Sequence, residues 1–409
     1  MNPLIAGSLT ILDLTALTAL VAWLWLAFFH GRFWRADELL EDIAPEHLPA
    51  GRAPSVTVLI PARDEAATIA AAVRAVLAQE WTAEWRLVLI DDQSSDGTGD
   101  LARKVIEEAG AGGRATVLEG TALPSGWSGK LWALEQGRRH PFAARADFLW
   151  LTDADIVHGP RQLVRMAALA LAEDRAMVSA MVRLHATDFW ERLLIPAFVY
   201  FFQMLYPFSR VNAGRAAAAA GGSILVERVA LERAGGFAAW RDALIDDCAL
   251  ARHLRGAGGR LWLGLSRDSR SLRHYSGLAP LWNMVRRTAY SELRFSPWRL
   301  MLALAGLALV FLMSPIALIV GAETGDGPAA LAGGFAWGVM SWTWIPNLRH
   351  QGVSPLIAPA LPLVTLLYMA MTLHSAIDAH LGRKGGWKGR HYGGRSETAA
   401  GVGHRGVDR

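Results

Sequence analysis

Long apolar runs constrain this chain more than any other feature of its sequence. The first, SLTILDLTALTALVAWLWLAFF, covers residues 8–29 and contains a single charged residue, Asp13. About 20 apolar residues in a helix are enough to cross the roughly 30 Å hydrocarbon core of a bilayer, so this run predicts a transmembrane helix. No small-residue cleavage site follows it, which favours an anchor over a signal peptide.

Three further apolar runs lie near the carboxyl end, at residues 300–321, 329–346 and 356–377. The whole chain is 52% hydrophobic and 19% charged, too apolar for a soluble enzyme and too polar for membrane spans alone. We therefore predict one α/β domain joined to membrane segments. The predicted division is an anchor at 1–30, a linker at 31–53, a catalytic domain at 54–275, an interfacial segment at 276–299, a membrane region at 300–377 and a basic tail at 378–409.

Basic residues predict the membrane topology. The residues before the anchor carry no Lys or Arg, whereas Arg32, Arg35 and Arg52 follow it, so the positive-inside rule places the large domain in the cytoplasm of a multi-pass inner-membrane protein. From residue 376 onward the tail carries seven Lys or Arg and three Asp or Glu, and three full crossings would put this basic tail outside. We therefore expect the short, Gly-rich run at 329–346 not to cross, leaving the tail cytoplasmic.

The central domain alternates strand and helix patterns. SVTVLI at 55–60 and WRLVLIDD at 85–92 are apolar and rich in branched residues, and each is followed by a helical pattern, which predicts a parallel βαβ unit. Ligands of such sheets bind at the carboxyl ends of the strands. The two loops that leave these ends are acidic and carry Asp64, Glu65, Asp91, Asp92 and Asp96.

A second pair of carboxylates lies near the end of the segment DFLWLTDADI, after its apolar part. Side chains alternate along a strand, so Asp153 and Asp155 point the same way, roughly 7 Å apart; an Asp-rich turn is the simpler alternative. Neither GxxxxGK[ST] nor, after the first strand, GxGxxG is present, which disfavours P-loop NTPases and dinucleotide-dependent dehydrogenases. Carboxylates suit Mg²⁺ or Mn²⁺ bound together with substrate phosphates. The formal net charge of +4 lies beside the membrane segments and favours lipid headgroups or a phosphorylated substrate over nucleic acid.

Six segments in order resemble the motifs of family 2 glycosyltransferases, whose catalytic domain has the GT-A fold. They cover roughly residues 54–265 and read IPARDEAATI, VLIDDQSSDGT, GKLWALEQG, LTDADI, GGSILVERVALERAGGF and IDDCALARHL. The amino-terminal anchor and the carboxyl-terminal GGWKGRHY further resemble the hopene-associated subset, relatives of ceramide glucosyltransferase. The resemblance implies an α/β fold, a Rossmann-like mixed sheet of GT-A type with flanking transmembrane helices.

The resemblance also implies a donor site. Asp92 would contact the base, Lys130 would approach the diphosphate or the sugar, and Gly222 would allow close backbone approach to the sugar. Asp155 would be the metal ligand for Mg²⁺ or Mn²⁺. The full set expected to bind the nucleotide sugar is Pro61, Arg63, Glu65, Asp92, Lys130, Asp153 and Gly222.

The pair Asp246 and Asp247 matches the position of the family's catalytic base, which is assigned to Asp247. Direct displacement at an anomeric carbon needs a base to remove the acceptor proton, and repulsion between neighbouring carboxylates raises the proton affinity of one of them. The alternative is that both residues only stabilise the start of the helix CALARHLRGAG. The two roles are compatible.

One segment departs from the family pattern. Relatives carry Q/R-x-x-R-W beyond the base, whereas this chain reads LWNMVRRTAYSEL. Arg286 and Arg287 keep the cations that would grip the acceptor or the diphosphate, but they could equally meet lipid phosphates. The aromatic run at 189–208 predicts an interfacial helix pair that guides a lipid to the site. The histidines show no metal-ligand spacing and are expected to lie on the surface or in the core; they include His185, His274 and His391.

These features predict an inverting glycosyltransferase that moves a sugar from a nucleotide-diphosphate sugar to a membrane lipid, with a hopanoid as the specific candidate. One alternative is a polyprenyl-phosphate glycosyl synthase. A processive polysaccharide synthase is disfavoured because it needs the intact signature and usually more spans. A non-catalytic scaffold of a lipid-biosynthetic complex is the alternative from another class, and the joint presence of Asp92, Asp155 and Asp247 argues against it.

Overall fold

The computed structural model describes residues 10–44, 53–382, 386–387 and 390–391. An eight-stranded mixed sheet forms the centre of the domain, in the order β3-β2-β1-β4-β7-β6-β8-β5. Its strands are β1 (Val56–Ala62), β2 (Trp85–Asp91), β3 (Ala115–Glu119), β4 (Phe148–Thr152), β5 (Ile156–Val157), β6 (Met177–Arg183), β7 (Ser223–Glu227) and β8 (Leu261–Ser271). A separate two-stranded ribbon pairs β9 (Gly386–Trp387) with β10 (Arg390–His391).

Helices cover both faces of the sheet and continue into the membrane region. They are α1 (Ile11–Phe28), α2 (Ile69–Leu77), α3 (Thr98–Glu108), α4 (Gly129–Arg139), α5 (Pro141–Ala144), α6 (Gln162–Ala172), α7 (Phe189–Leu205), α8 (Phe208–Asn212), α9 (Arg228–Arg233), α10 (Asp246–Gly256), α11 (Leu278–Glu292), α12 (Pro297–Leu307), α13 (Met313–Thr324), α14 (Gly327–His350) and α15 (Leu361–His380).

The predicted βαβ unit is present. β1 pairs in parallel with β2 on one side and with β4 on the other, which places the carboxyl ends of all three strands at one edge. Val58 and Ile60 pack into the core on one face of the sheet and Leu59 into the core on the other, and all three are fully buried. The strand is apolar throughout because helices cover both faces.

Part of the predicted linker belongs to the sheet domain. Leu39 forms a parallel bridge with Leu265 of β8, and Leu40 is fully buried. The Glu41 carboxylate accepts hydrogen bonds from the Ser266 hydroxyl and the Arg267 N–H, both at 2.8 Å. Leu39 and Leu40 are two adjacent leucines in a polar segment, and they show neither helical nor strand periodicity. The sequence therefore did not predict that this part of the linker packs on the sheet domain.

Within the described residues, three helical segments are long and apolar enough to cross a membrane: Ile11–Phe28, Pro297–Thr324 and Pro355–His380. The second joins α12 and α13 through a π turn at Ala308–Leu312. Large apolar side chains on these segments are exposed, among them Leu17, Leu302 and Leu363. Exposed apolar surface on this scale is expected of helices that face lipid.

The Gly-rich run forms the continuous helix α14, which is not one of the three segments that are apolar enough to cross. At 1.5 Å per residue, its 24 residues extend about 36 Å. A Cβ atom at Gly333 would lie 2.6 Å from the Ser314 carbonyl oxygen, so this glycine permits close packing of α14 on α13. Small residues at helix interfaces are typical of membrane bundles, and here the glycine favours the helix pair.

The last apolar run begins and ends near the sheet domain. Gly352, just after α14, lies beside the Arg183 guanidinium at the end of β6. The Trp337 indole N–H donates to the Pro359 carbonyl oxygen at 3.0 Å, and Trp337 precedes the end of α14 by about 20 Å of helix. The Ser375 hydroxyl, near the end of α15, then accepts the N–H of Tyr290 in α11 at 3.1 Å.

Both ends of the segment 352–380 therefore lie on the side of the sheet domain, and its turn lies beside the middle of α14. The turn contains Pro355, Pro359 and Pro362, which interrupt a helix or start a new one. The chain therefore enters and leaves this segment on the domain side, and we call residues 352–380 the re-entrant segment. Most of the basic tail lies outside the described residues, which include there only 378–382 and the backbone of β9 and β10.

This arrangement predicts that the tail and the turn between α13 and α14 lie on opposite sides of the membrane. We expect an impermeant thiol reagent applied to intact cells to label only one of two single replacements, Thr324→Cys and Ser396→Cys. The native thiol of Cys248 is buried and provides the unlabelled background. Equal labelling of both positions would show that the last apolar run crosses completely.

Candidate active site

A cavity of about 1250 Å³ opens where the carboxyl ends of β1 and β4 meet the ends of α11 and α15. Ten of the twelve predicted site residues line it, and they come from the sheet edge, from the starts of α4 and α10, and from α11. These residues are Pro61, Glu65, Lys130, Asp153, Asp155, Gly222, Asp246, Asp247, Arg286 and Arg287. Arg63 and Asp92 are not among the lining residues.

Lys130 connects the end of β4 to the start of α10. Ser128 caps α4 by accepting a hydrogen bond from the Leu131 N–H, which places Lys130 in the first turn. Its Nζ lies 2.8 Å from Asp153 Oδ1 and 3.2 Å from Asp246 Oδ2. Burial alone would lower the pKa of Lys130, but Asp153 and Asp246 raise it above the usual value. The ammonium group therefore stays charged and holds the two carboxylates together.

Asp155 is held by Arg273, which the sequence analysis did not identify. Arg273 Nε lies 2.8 Å from Asp155 Oδ2, and its Nη2 lies 2.7 Å from Glu65 Oε1. The Ser271 hydroxyl donates to the same Asp155 oxygen at 3.2 Å. Among the described residues no protein group donates a hydrogen bond to the other oxygen, Oδ1, and Asp155 lines the cavity. A single Arg after a strand carries no spacing signal, so only the fold brings it here.

Asp246 and Asp247 open α10, but neither caps it. The cap position is Ile245, and no side chain bonds there. Asp247 Oδ1 accepts the N–H of the adjacent Cys248 at 2.7 Å. Burial, and next the charge of Asp246, raise the pKa of Asp247 to about 7. Stabilisation through the N-cap is therefore not observed, although both carboxylates still lie in the first turn, near the positive end of the helix dipole.

Two adjacent glycines, Gly221 and Gly222, have different neighbours. A Cβ atom at Gly222 would lie 2.9 Å from Val182 Cγ2, so this glycine is required for packing against β6. A Cβ atom at Gly221 would lie 3.3 Å from Asp247 Oδ2 and 3.4 Å from Lys130 Nζ. Gly221, which the motif did not single out, is thus the glycine that lies against the charged cluster.

Asp92 lies behind the cavity. Its side chain is fully buried, and Arg63 covers it: Arg63 Nη1 lies 3.8 Å from Asp92 Oδ2 and donates to the Asp92 carbonyl oxygen. The two residues join the loops that follow β1 and β2. They stabilise the sheet edge next to the cavity.

The two arginines of α11 have different surroundings. Arg286 Nε lies 3.2 Å from Asp378 Oδ2, and its Nη1 lies 3.3 Å from His374 Nε2; both partners belong to α15. Arg287 lines the cavity and has no carboxylate within 4.0 Å in the part of the chain that the structure describes. Arg286 therefore fastens the re-entrant segment, and Arg287 leaves a positive charge in the cavity.

The aromatic run at 189–208 forms α7 and the start of α8, layered between the sheet domain and the membrane helices. The Tyr200 hydroxyl lies 2.7 Å from the Thr343 hydroxyl of α14, and the Tyr368 hydroxyl of α15 donates to the Leu194 carbonyl oxygen at 2.9 Å. Phe198 lines the cavity on the other side. The predicted helix pair is thus enclosed by protein on two sides, because its aromatic side chains pack in both directions.

The chain is similar to known glycosyltransferases. The sequence profile of glycosyl transferase family 21 matches residues 14–400. A mannosyltransferase from Pyrobaculum calidifontis, solved with GDP-mannose and Mn²⁺, is 20% identical with a TM-score of 0.57, over 91% of this chain and 100% of that one. Glucosyl-3-phosphoglycerate synthase from Mycobacterium tuberculosis is 18% identical with a TM-score of 0.37, over 59% and 80%. No curated protein sequence matches. The predicted GT-A fold is confirmed.

Proposed function

The chain belongs to glycosyl transferase family 21, and we propose that it transfers a sugar from a nucleotide-diphosphate sugar to a lipid acceptor in the membrane, with inversion at the anomeric carbon. The sequence resemblance was to family 2, and the profile that matches is that of family 21. A nucleotide-sugar glycosyltransferase of GT-A type is confirmed.

The observation that carries the proposal is the continuity of one cavity from the carboxylates of the sheet edge to the membrane helices. At one end lie Asp153, Asp155 and Asp247, and at the other lie Ser375 of α15 and Tyr290 of α11. A lipid headgroup that enters beside the re-entrant segment can reach the catalytic carboxylates while its apolar part stays among the membrane helices. Apolar lining at this end supports that route and comes from Phe198, Phe202, Met284 and Phe295.

The residues at the sheet edge fit a divalent cation. Asp155 offers an oxygen to which no group in the described part of the chain donates a hydrogen bond, and such a carboxylate oxygen is a suitable ligand for Mg²⁺ or Mn²⁺. The Pyrobaculum mannosyltransferase, solved with Mn²⁺ and GDP-mannose, supports this assignment. When bound, the cation would neutralise charge on the leaving diphosphate.

Side chains of the cavity would carry out proton removal and substrate binding. Asp247, with a pKa raised to about 7, removes the proton from the acceptor hydroxyl as that oxygen attacks the anomeric carbon. Asp153 accepts hydrogen bonds from sugar or ribose hydroxyls, and Lys130 holds it in place. Glu65 and Pro61 form the wall on the nucleotide side. Transfer by direct displacement from an α-linked donor yields a β-linked product.

Arg287 supports a second candidate, a polyprenyl-phosphate glycosyl synthase. A cation with no carboxylate partner among the described residues would bind an acceptor phosphate, which needs no deprotonation. We favour a hydroxyl acceptor, with a hopanoid as the specific candidate. The reason is that Asp247, a buried carboxylate with a raised pKa, is suited to act as a general base, and only a hydroxyl acceptor needs one. The positive-inside rule supports a cytoplasmic catalytic domain at the inner membrane.

A direct assay tests the proposal. Enzyme purified in detergent is incubated with total membrane lipid, a divalent cation and each of several nucleotide sugars, and lipids that gain the mass of one sugar are identified by mass spectrometry. We expect one donor to modify a hydroxyl-bearing lipid in the wild type and not in Asp155→Asn. Transfer only to a polyprenyl phosphate would favour the second candidate, and no transfer from any donor would contradict both.

A further inference from the structure

Two histidines that show no metal-ligand spacing in the sequence meet at one carboxylate. His185 follows β6, Glu191 lies in the first turn of α7 and His274 follows β8. His185 Nδ1 lies 2.9 Å from Glu191 Oε2, and His274 Nδ1 lies 2.9 Å from Glu191 Oε1. The two Nδ1 atoms are 3.2 Å apart. Both histidines are partly exposed, and the fold brings them together although their spacing in the sequence does not indicate it.

This geometry is typical of ligands around one small cation. Zn²⁺ bonds of about 2.0–2.1 Å in tetrahedral geometry place neighbouring ligand atoms roughly 3.3 Å apart. The two imidazole nitrogens are 3.2 Å apart, each lies 2.9 Å from one oxygen of the Glu191 carboxylate, and one ligand atom from each residue lies within 4.8 Å of the other two. We propose that His185, His274 and Glu191 form a Zn²⁺ site, distinct from the cation site at Asp155.

The surroundings of Glu191 are those of a fixed ligand. Its side chain is fully buried, and backbone N–H groups orient both oxygens: Tyr275 donates to Oε1 at 2.7 Å, and Thr187 donates to Oε2 at 3.0 Å. These donors hold the carboxylate in place, as outer hydrogen bonds do for metal ligands.

The donor set favours zinc over the cation expected at the sheet edge. Two imidazoles and one carboxylate are a common set for Zn²⁺, whereas Mg²⁺ prefers oxygen ligands. Both histidine side chains are partly exposed, at 31% and 45%, so solvent can reach the cluster and supply a water as the fourth ligand. The Thr187 hydroxyl, 3.4 Å from both His185 Nδ1 and Glu191 Oε2, is a further oxygen beside it.

The site would brace the loop between β8 and α11. His274 directly follows Arg273, which binds Asp155 and Glu65, and it precedes Tyr275, which lines the cavity. Zinc at the cluster would fasten this loop to the start of α7 without touching the substrate. The three ligands are therefore positioning residues for Arg273.

Metal analysis of the full chain tests the site. Protein purified with a tag that lacks histidine and dialysed against a weak chelator is expected to retain about one Zn²⁺ per chain. His185→Ala and His274→Ala should each lower that content at least about tenfold. The matched control, His253→Ala, removes an exposed histidine of α10 that packs on Trp240 and should keep the zinc. Asp155→Asn should keep it as well, because Asp155 is not one of the three ligands and Arg273 keeps its pairing with Glu65.

Two further measurements separate ligation from a purely structural role. His185→Cys supplies another zinc ligand, so it should restore the metal that His185→Ala loses. Co²⁺ in place of Zn²⁺ should produce the visible absorption of a tetrahedral site in the wild type and not in folded His274→Ala. Wild-type protein with no zinc and no rise in Tm on zinc addition would overturn the proposal, as would zinc retained in both alanine variants.

Discussion

Asp247→Asn is expected to lower sugar transfer by about 10²–10⁴ while nucleotide binding is retained, because the variant loses the general base and no ligand of the nucleotide. Transfer is measured as labelled lipid formed, and nucleotide binding by calorimetry. The matched control is Asp242→Asn, which changes an exposed carboxylate at the rim of the same cavity. Its activity should stay within a few-fold of the wild type.

The pH profile provides an independent check of the same residue. Burial and the nearby Asp246 raise the pKa of Asp247 to about 7, and only the ionised carboxylate can accept the acceptor proton. The value of kcat/KM should therefore rise as pH increases toward 7 and level off above it. Asp247→Asn should lose this limb of the profile. A wild-type rate that is flat between pH 5 and 8, or an α-linked product from an α-linked donor, would contradict a base acting in direct displacement.

Asp155→Asn is expected to abolish turnover, because the change removes the negative charge of the proposed cation ligand. It also weakens the pairing with Arg273, but Arg273 keeps Glu65 at 2.7 Å, so the fold should be retained. Activity should be lost on addition of a chelator and return with Mg²⁺ or Mn²⁺. Turnover is measured by mass spectrometry of the lipid product, and folding by Tm and by elution volume in detergent.

A surface variant controls for the general effect of removing a carboxylate. Asp100→Asn, on the exposed side of α3, should match the wild type in turnover and in its response to chelator. Undiminished activity of Asp155→Asn, or wild-type activity that ignores chelator, would remove the basis for the cation assignment. Recovery with Mg²⁺ alone, without Zn²⁺, would separate this site from the His185–Glu191–His274 cluster.

Local patterns in the sequence were enough to predict the sheet and most of the cavity. β1 and β2 are apolar because both faces are covered, and the carboxylates that follow strands reach one edge because parallel strands share their direction. The order of the motifs then indicated the GT-A fold, and ten of the predicted site residues do line one cavity. These properties depend on neighbouring residues and on strand direction, which a sequence displays directly.

Other features depend on contacts between distant segments, and only the tertiary structure decides them. Arg273 reaches Asp155 across 118 residues and Glu65 across 208 residues, and His274 meets His185 across 89 residues; no spacing rule connects such pairs. Apolarity alone could not tell a crossing run from a re-entrant one. The return of residues 352–380 toward the sheet domain depends on where Trp337 meets Pro359 and where Ser375 meets Tyr290, because these contacts join segments that are far apart in the sequence.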